Sequence, residues 1–315
     1  MCIRDSYLPF EDNYTGYNWD FNTQNTLETK IGMTDPYNTC ICEVGEGNQI
    51  VYSQKQNPLS LTDAYKNFLP NSYLHIPASW GKIQSLFSWN NSFFAQTSDM
   101  IINIATADGI INLGNGQALE VITQGGDLRT NPKEIVSDVP EGYAGTQDPN
   151  AAINTQHGRF SMDRKGKKIF QFSGGMPKEI SNSGVREFLK ENLDLELLKQ
   201  YDYSLVDEVE GIGYRLGFDH RFNRLMITKV DYKVKNTDKV EFTEGKFREK
   251  DKDGNLGVYV SLGDPAFFEN KSFTLSYDPI SGRWISFHTY FPDGYAWDRD
   301  HMYTIKEGGF WKRCV

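Results

Sequence analysis

The stretch "TLSYDPISGRWISF", residues 274–287, opens with alternating apolar residues, turns through Asp278, Pro279 and Gly282, and runs on through Trp284. Strand, turn and strand in so short a span is the pattern of a β-hairpin. Two other segments lie over it without gaps, "RLGFDHRFNRLMIT" (215–228) and "RFSMDRKGKKIFQF" (159–172). In each copy one apolar residue stands three before an Asp and another directly before it. These are Leu275 and Tyr277 before Asp278, Leu216 and Phe218 before Asp219, and Phe160 and Met162 before Asp163. Five residues beyond each Asp comes a base, Arg283, Arg224 or Lys168, and then an apolar anchor, Trp284, Leu225 or Ile169.

An Asp that closes a strand accepts hydrogen bonds from backbone amides two residues on, which sets the turn. The base that opens the return strand then faces it, and such a cross-strand pair adds about 0.2–1 kcal/mol. The copies lie 56 and 59 residues apart, a period that suits β-propeller blades carrying insertions. The chain therefore reads as mainly β, built of propeller-like antiparallel hairpins. Asp163, Lys168, Asp219, Arg224, Asp278, Arg283 and Trp284 are its structural turn and hairpin residues rather than parts of a unique active site.

Outward from these copies, "GKIQSLFSWNNSFFAQTSDMIINI" (81–104) reads as three short strands broken at Asn90-Asn91 and Ser98-Asp99. "ATADGIINLGNGQALEVI" (105–122) adds two more, turning at Asp108-Gly109 and Gly114-Asn115-Gly116. One helix interrupts the strands at residues 183–200. Val185, Phe188, Leu189 and Leu193 share a face there, and Ser183 is available as a cap. A shorter helix is expected at 60–69, before Pro70. The polar, charged segment 234–257 reads as an exposed loop or hairpin inserted between two repeats.

Composition agrees with a β fold. The 315 residues include 17 Tyr and 20 Phe, and a compact chain of that length buries about 75% of its unfolded surface. A net charge of −9 repels nucleic acid and argues against a DNA-reading domain. The run "DRKGKK" (163–168) reads as a solvated hairpin tip. Four cysteines, Cys2, Cys40, Cys42 and Cys314, give neither a disulfide framework nor a CxxC pair. Cys40 and Cys42 read as small core neighbours on one side of a strand. No stretch reaches transmembrane length, and the start lacks the apolar run of a signal peptide. Residues 1–6, "MCIRDS", back-translate to the end of a sequencing adapter and read as a library scar. That leaves 7–315 as a partial β-propeller domain, a fragment open at both ends.

Motifs that carry chemistry are scarce. There is no GxSxG, HExxH, P-loop or GxGxxG before a helix. His75, His157, His220, His288 and His301 are scattered, each reading as a turn or strand-surface residue. "DKDGN" (251–255) echoes a calcium loop but lacks the Glu that would complete it. "SYDPISGRW" (276–284) approaches the S-x-D-x-G-x-x-W Asp-box of sialidase propellers, with Gly282 and Trp284 falling too late. No catalytic, cofactor-binding or metal residue is assigned, and neither an enzyme activity nor a cofactor is expected.

In order along the chain, residues 159–193, 216–232 and 272–295 resemble the tail nozzle or muzzle proteins of short-tailed, crAss-like phages, also called packaged-DNA stabilisation proteins. The segments "RLMITKVDY" and "WISFHTYFP" carry the likeness most strongly. The resemblance implies a structural virion protein built around a β-propeller and assembled as a sixfold homo-oligomeric ring, next to other tail and portal-adaptor proteins. Such a ring closes the DNA channel, retains the packaged genome and opens for ejection, while DNA passes without sequence-specific binding. The resemblance further implies a place in the virion tail after synthesis in the host cytoplasm, with no membrane segment. The residues leave two alternatives open, a bacterial surface adhesin, against which the missing signal peptide counts, and a carbohydrate-binding or carbohydrate-active propeller, lectin or sialidase-like. Trp297 beside Asp298 and Asp300 in "YAWDRDHMY" (295–303) is its one hint.

Overall fold

The computed structural model describes residues 47–53, 72–90, 92–106, 109–113, 117–121, 132–136, 143–201, 209, 211–243, 245–251, 255–298, 301–306 and 308–313. Residues 1–6, the four cysteines, the helix expected at 60–69, the middle of the 251–255 loop and Asp300 lie outside them. The chain divides into two compact units, one of residues 1–83 and 107–132, the other of residues 84–106 and 133–315. In the first, β1 (Gln49–Val51) pairs with β2 (Tyr73–His75), and β6 (Gly109–Leu113) with β7 (Gln117–Val121).

The second unit opens with a sheet of order β3-β4-β5-β8, made of β3 (Ile83–Trp89), β4 (Ser92–Thr97), β5 (Ile101–Thr106) and β8 (Lys133–Glu134). Its breaks fall where Asn90 and Ser98-Asp99 stand in the sequence. A second sheet, order β12-β11-β10-β9, contains β9 (Ala152–Thr155), β10 (Gly158–Asp163), β11 (Lys168–Phe172) and β12 (Lys178–Glu179). The third, order β13-β14-β20-β21, contains β13 (Gly213–Asp219), β14 (Arg224–Val230), β20 (Phe273–Asp278) and β21 (Arg283–His288). Between β14 and β20 the chain forms the pair β15 (Tyr232–Val234) and β19 (Phe268–Asn270), and the sheet β16 (Val240–Thr243), β17 (Lys246–Lys250) and β18 (Leu256–Tyr259). A last sheet holds β22 (Gly294–Trp297), β23 (Met302–Lys306) and β24 (Gly309–Arg313). The described strand pairs are antiparallel, and no sheet closes into a barrel.

All three repeated segments are hairpins, but the period does not mark one sheet per copy. The second and third copies join edge to edge, with Leu225 opposite Tyr277 and Ile227 opposite Leu275. The reason is burial. β14 and β20 are covered along nearly their whole length, so neither can be an edge strand, and each supplies the other's missing partner. The outer strand β21 is exposed at Arg283, Ile285, Ser286 and Phe287.

The single helix expected at 183–200 is two: α1 (Arg186–Asn192) and α2 (Glu196–Gln200). Val185, not Ser183, occupies the N-cap of α1, without a side-chain cap. Leu193 and Leu195, at the break, are wholly buried, and burying both bends the chain out of a continuous helix. The insertion at 234–257 is also less exposed than its composition suggests. Val234, Val240 and Phe247 enter the main core beside Phe268 and Tyr201, while β18 stays exposed throughout. Alternation within a short charged strand suffices to bury one face.

Among the described residues, two apolar clusters fill this unit. The larger gathers Phe160, Met162, Leu189, Phe218, Leu225, Leu275 and Tyr277, so residues from all three repeats share one core. The smaller packs Phe87, Phe94 and Phe172, with ring centroids 5.0–5.8 Å apart. Beside it Arg159 of β10 ties the first two sheets together. Its guanidinium donates to Gln96 at 2.7 Å, to Asn154 at 2.9 Å and to Ser85, and lies 4.3 Å from the Phe87 ring. Burial lowers its pKa to about 10. Gly217 admits the last sheet, because a Cβ there would fall 2.4 Å from Cγ of Tyr295.

Candidate functional site

The three turns share one geometry. Each Asp stands directly opposite its base: Asp163 and Lys168, Asp219 and Arg224, Asp278 and Arg283. Asp163 Oδ1 accepts from the Gly166 amide at 3.0 Å and from the Gln147 side chain at 2.9 Å. Asp219 Oδ1 accepts from the amides of Arg221 and Phe222 at 3.1 and 3.3 Å, and Asp278 Oδ1 from that of Ile280 at 2.8 Å. The fourth residue after each Asp is left-handed, with φ 55° at Lys167, 51° at Asn223 and 68° at Gly282. Asn and Gly signal that conformation in a sequence; Lys does not.

The bases differ in what they do. Arg224 Nη2 reaches Asp219 at 3.4 Å, whereas Lys168 turns to Glu179 at 3.4 Å. Burial raises the pKa of Asp163, while the Ser281 hydroxyl, donating to Asp278, lowers that of Asp278. Trp284 Nε1 donates to the Ile180 carbonyl at 3.3 Å, and its ring lies 5.0 Å from Tyr277. The last hairpin is thereby fastened to the second sheet.

A further constellation escaped the sequence reading. Lys229 and Asp231, at the end of β14, form an ion pair of 2.8 Å with side chains 1% and 0% exposed. Lys229 Nζ also donates to the Asn192 carbonyl at 2.7 Å and to the Asp194 carbonyl, taking the carbonyl end of α1. Asp231 accepts from the amides of Glu196 and Leu197 at 2.7 and 3.3 Å, capping α2 from a distance. Cation at a helix C-terminus and anion at a helix N-terminus is the favourable arrangement. Burial pushes Lys229 down and Asp231 up, and each charge opposes the other's shift. The signal was present in "ITKVDY": a Lys-x-Asp alternation closing an apolar strand puts both charges on one side.

Of the five histidines, two are brought together. His157 and His220 lie 5.7 and 5.0 Å from Phe218, and Trp297 stands 6.1 Å from His220. Gln156 donates to Asn223 Oδ1 at 2.7 Å, and His157 Nε2 is 3.4 Å from the same atom. Among the described residues no group of three or more His, Cys, Asp or Glu is placed to hold a metal ion. No helix among them is long and apolar enough to cross a membrane. Asp163, Asp219, Asp231 and Asp278 each accept from at least one backbone amide, which fixes local shape.

Antiparallel sheets, Asp-set turns and a buried ion pair that caps two helices together define a mainly antiparallel β protein. The chain belongs to the Crassvirus muzzle protein family, whose model matches residues 6–308. It is a structural tail protein of a phage. No curated protein matches the chain.

Proposed function

We propose that this chain forms part of the ring that closes the tail channel, retains the packaged genome and opens for ejection. Membership of the muzzle family over residues 6–308 is the observation that carries the reading. In this reading the hairpin sheets are arranged as propeller-like blades, six copies close the ring, and neighbouring tail and adaptor proteins hold it in place. Asp163, Asp219 and Asp278 with Lys168, Arg224 and Arg283 are its turn-setting residues, and Trp284 anchors the last hairpin. The protein is made in the host cytoplasm and acts in the virion. A net charge of −9 suits a conduit, because phosphates bound along a basic wall would slow passage and make it salt-dependent.

The test is a phage carrying a stop codon in this gene, grown without suppression. Particles should package DNA and then lose it, so that encapsidated DNA becomes nuclease-sensitive. Images of wild-type particles should show the protein as a closed ring at the distal end of the tail. Mutant particles that hold their genome as wild type does would overturn the retention role.

A further inference from the structure

We propose that the turn rim formed by Gln156, His157, His220, Asn223 and Trp297 is a carbohydrate-contact platform. The rim is assembled from three sheets. Gln156 and His157 form the β9–β10 turn, His220 and Asn223 belong to the β13–β14 turn, and Trp297 ends β22. Trp297 is 48% exposed, and its ring stands 6.1 Å from that of the exposed His220. A half-exposed indole offers a flat apolar surface for the C–H face of a pyranose, and it loses little freedom on binding because it turns about only two side-chain bonds.

The polar groups around it are held in place. Gln156 Nε2 donates to Asn223 Oδ1 at 2.7 Å and lies 3.2 Å from His157 Nε2, which is itself 3.4 Å from Asn223. His157 and His220 both rest against the buried ring of Phe218, at 5.7 and 5.0 Å. The two amides and His157 are thereby ordered by one another, and His220 is packed between two rings, so donors and acceptors stand beside an aromatic face, as recognition of sugar hydroxyls requires.

The rim is not a basic patch: Arg221, 5.1 Å from the Phe222 ring, is the one exposed arginine of the β13–β14 turn. Arg224 of the same turn is committed to Asp219 at 3.4 Å and lies 4.6 Å from the Phe222 ring. Phosphate-rich ligands need a surplus of free cations, whereas a neutral glycan needs none. The platform goes beyond the ring reading and stands without it.

Saturation-transfer NMR on the whole chain tests it, with cellotriose, maltotriose, chitotriose and lactose as probes and a thymidine oligonucleotide for comparison. At least one sugar should receive saturation on its pyranose C–H protons. Trp297→Ala should cut that signal about fivefold to tenfold, as loss of an aromatic contact does, and Gln156→Ala should weaken it without moving Tm. Trp297→Phe should retain part of the signal. No transfer to any of the four sugars would overturn the platform, and so would an unchanged signal in Trp297→Ala or binding of the oligonucleotide alone.

Discussion

Replacing Lys229 by Met tests the buried node most severely. The substitution keeps the volume and removes the charge, so Asp231 is left 0% exposed with two backbone amides and no cation. The carbonyls of Asn192 and Asp194 lose their donor as well. Removing one partner of a buried pair costs about 3–5 kcal/mol. The carboxylate has an escape, since it can take up a proton. From an unfolded pKa of about 3.9, protonation costs about 4 kcal/mol at pH 7 and about 1.5 kcal/mol at pH 5. These figures cap the charge penalty at each pH. The sign follows from linkage. Without Lys229 the folded pKa of Asp231 rises further, so between the unfolded and folded pKa values the folded state binds a proton that the unfolded state lacks, and acid favours folding.

The deficit of Lys229→Met against wild type should therefore shrink from about 4 toward about 1.5 kcal/mol between pH 7 and pH 5. In a unit of this size about 2–4 °C of Tm accompanies each kcal/mol. Calorimetry should then give a deficit of about 8–16 °C at neutral pH, falling to about 3–6 °C in acid. Adding Asp231→Asn removes the stranded charge and should recover most of the neutral-pH loss. A deficit below about 1 kcal/mol at pH 7, or one that is equal at both pH values, would refute the reasoning.

Other substitutions probe the turns and the close approach between sheets. Gly217→Ala should cost about 1–3 kcal/mol by driving a methyl into the Tyr295 ring; chemical denaturation at pH 7 measures it, and an unchanged midpoint would show that the last sheet can retreat freely. Asp278→Ala should lower Tm through loss of the turn bond to Ile280, by about 1 kcal/mol in stability, and unchanged melting with intact assembly would remove its turn-setting role. Gly282→Ala should cost about 1–2 kcal/mol, because φ there is 68°. The reverse change Lys167→Gly relieves the same strain at φ 55° but loses the bond from Lys167 to the Lys190 carbonyl, so its Tm should move less than that of Gly282→Ala.

The hairpins were legible because their information is local. Apolar alternation, an Asp and a following base lie within one short window, and the structure pairs Asp163, Asp219 and Asp278 opposite the residues five positions on. What joins hairpin to hairpin is not local. Leu225 meets Tyr277 across the whole insertion, and nothing in either segment names the other, so equal spacing was read as one blade per copy. The helix break carries no Gly or Pro at Leu193–Leu195; the helix ends that it exposes are satisfied by Lys229 and Asp231, remote in sequence. The histidine rim was illegible for the same reason, since Gln156 and Asn223 belong to different sheets.

Asp231 does more than cap a helix, and this sets how the unit should fail. Its backbone amide donates to the Ser272 hydroxyl oxygen at 3.0 Å, and its carbonyl accepts from the Lys271 amide at 2.9 Å. The insertion between β14 and β20 is thus closed at its neck by the residue whose side chain holds α2 and neutralises Lys229. From that neck β15 and β19 run on as a pair, with Tyr232 opposite Asn270 and Val234 opposite Phe268. Damage to the ion pair is therefore transmitted to three places at once: the helix pair, the insertion, and the register of β14 against β20. A buried pair of this kind is weak support for stability in itself, since apolar replacements often do as well. Its value lies in fixing one arrangement, because a shifted register of β14 would strand both charges in the core. The hairpin turns shape each element locally, and the Lys229–Asp231 pair makes the elements of this unit agree with one another.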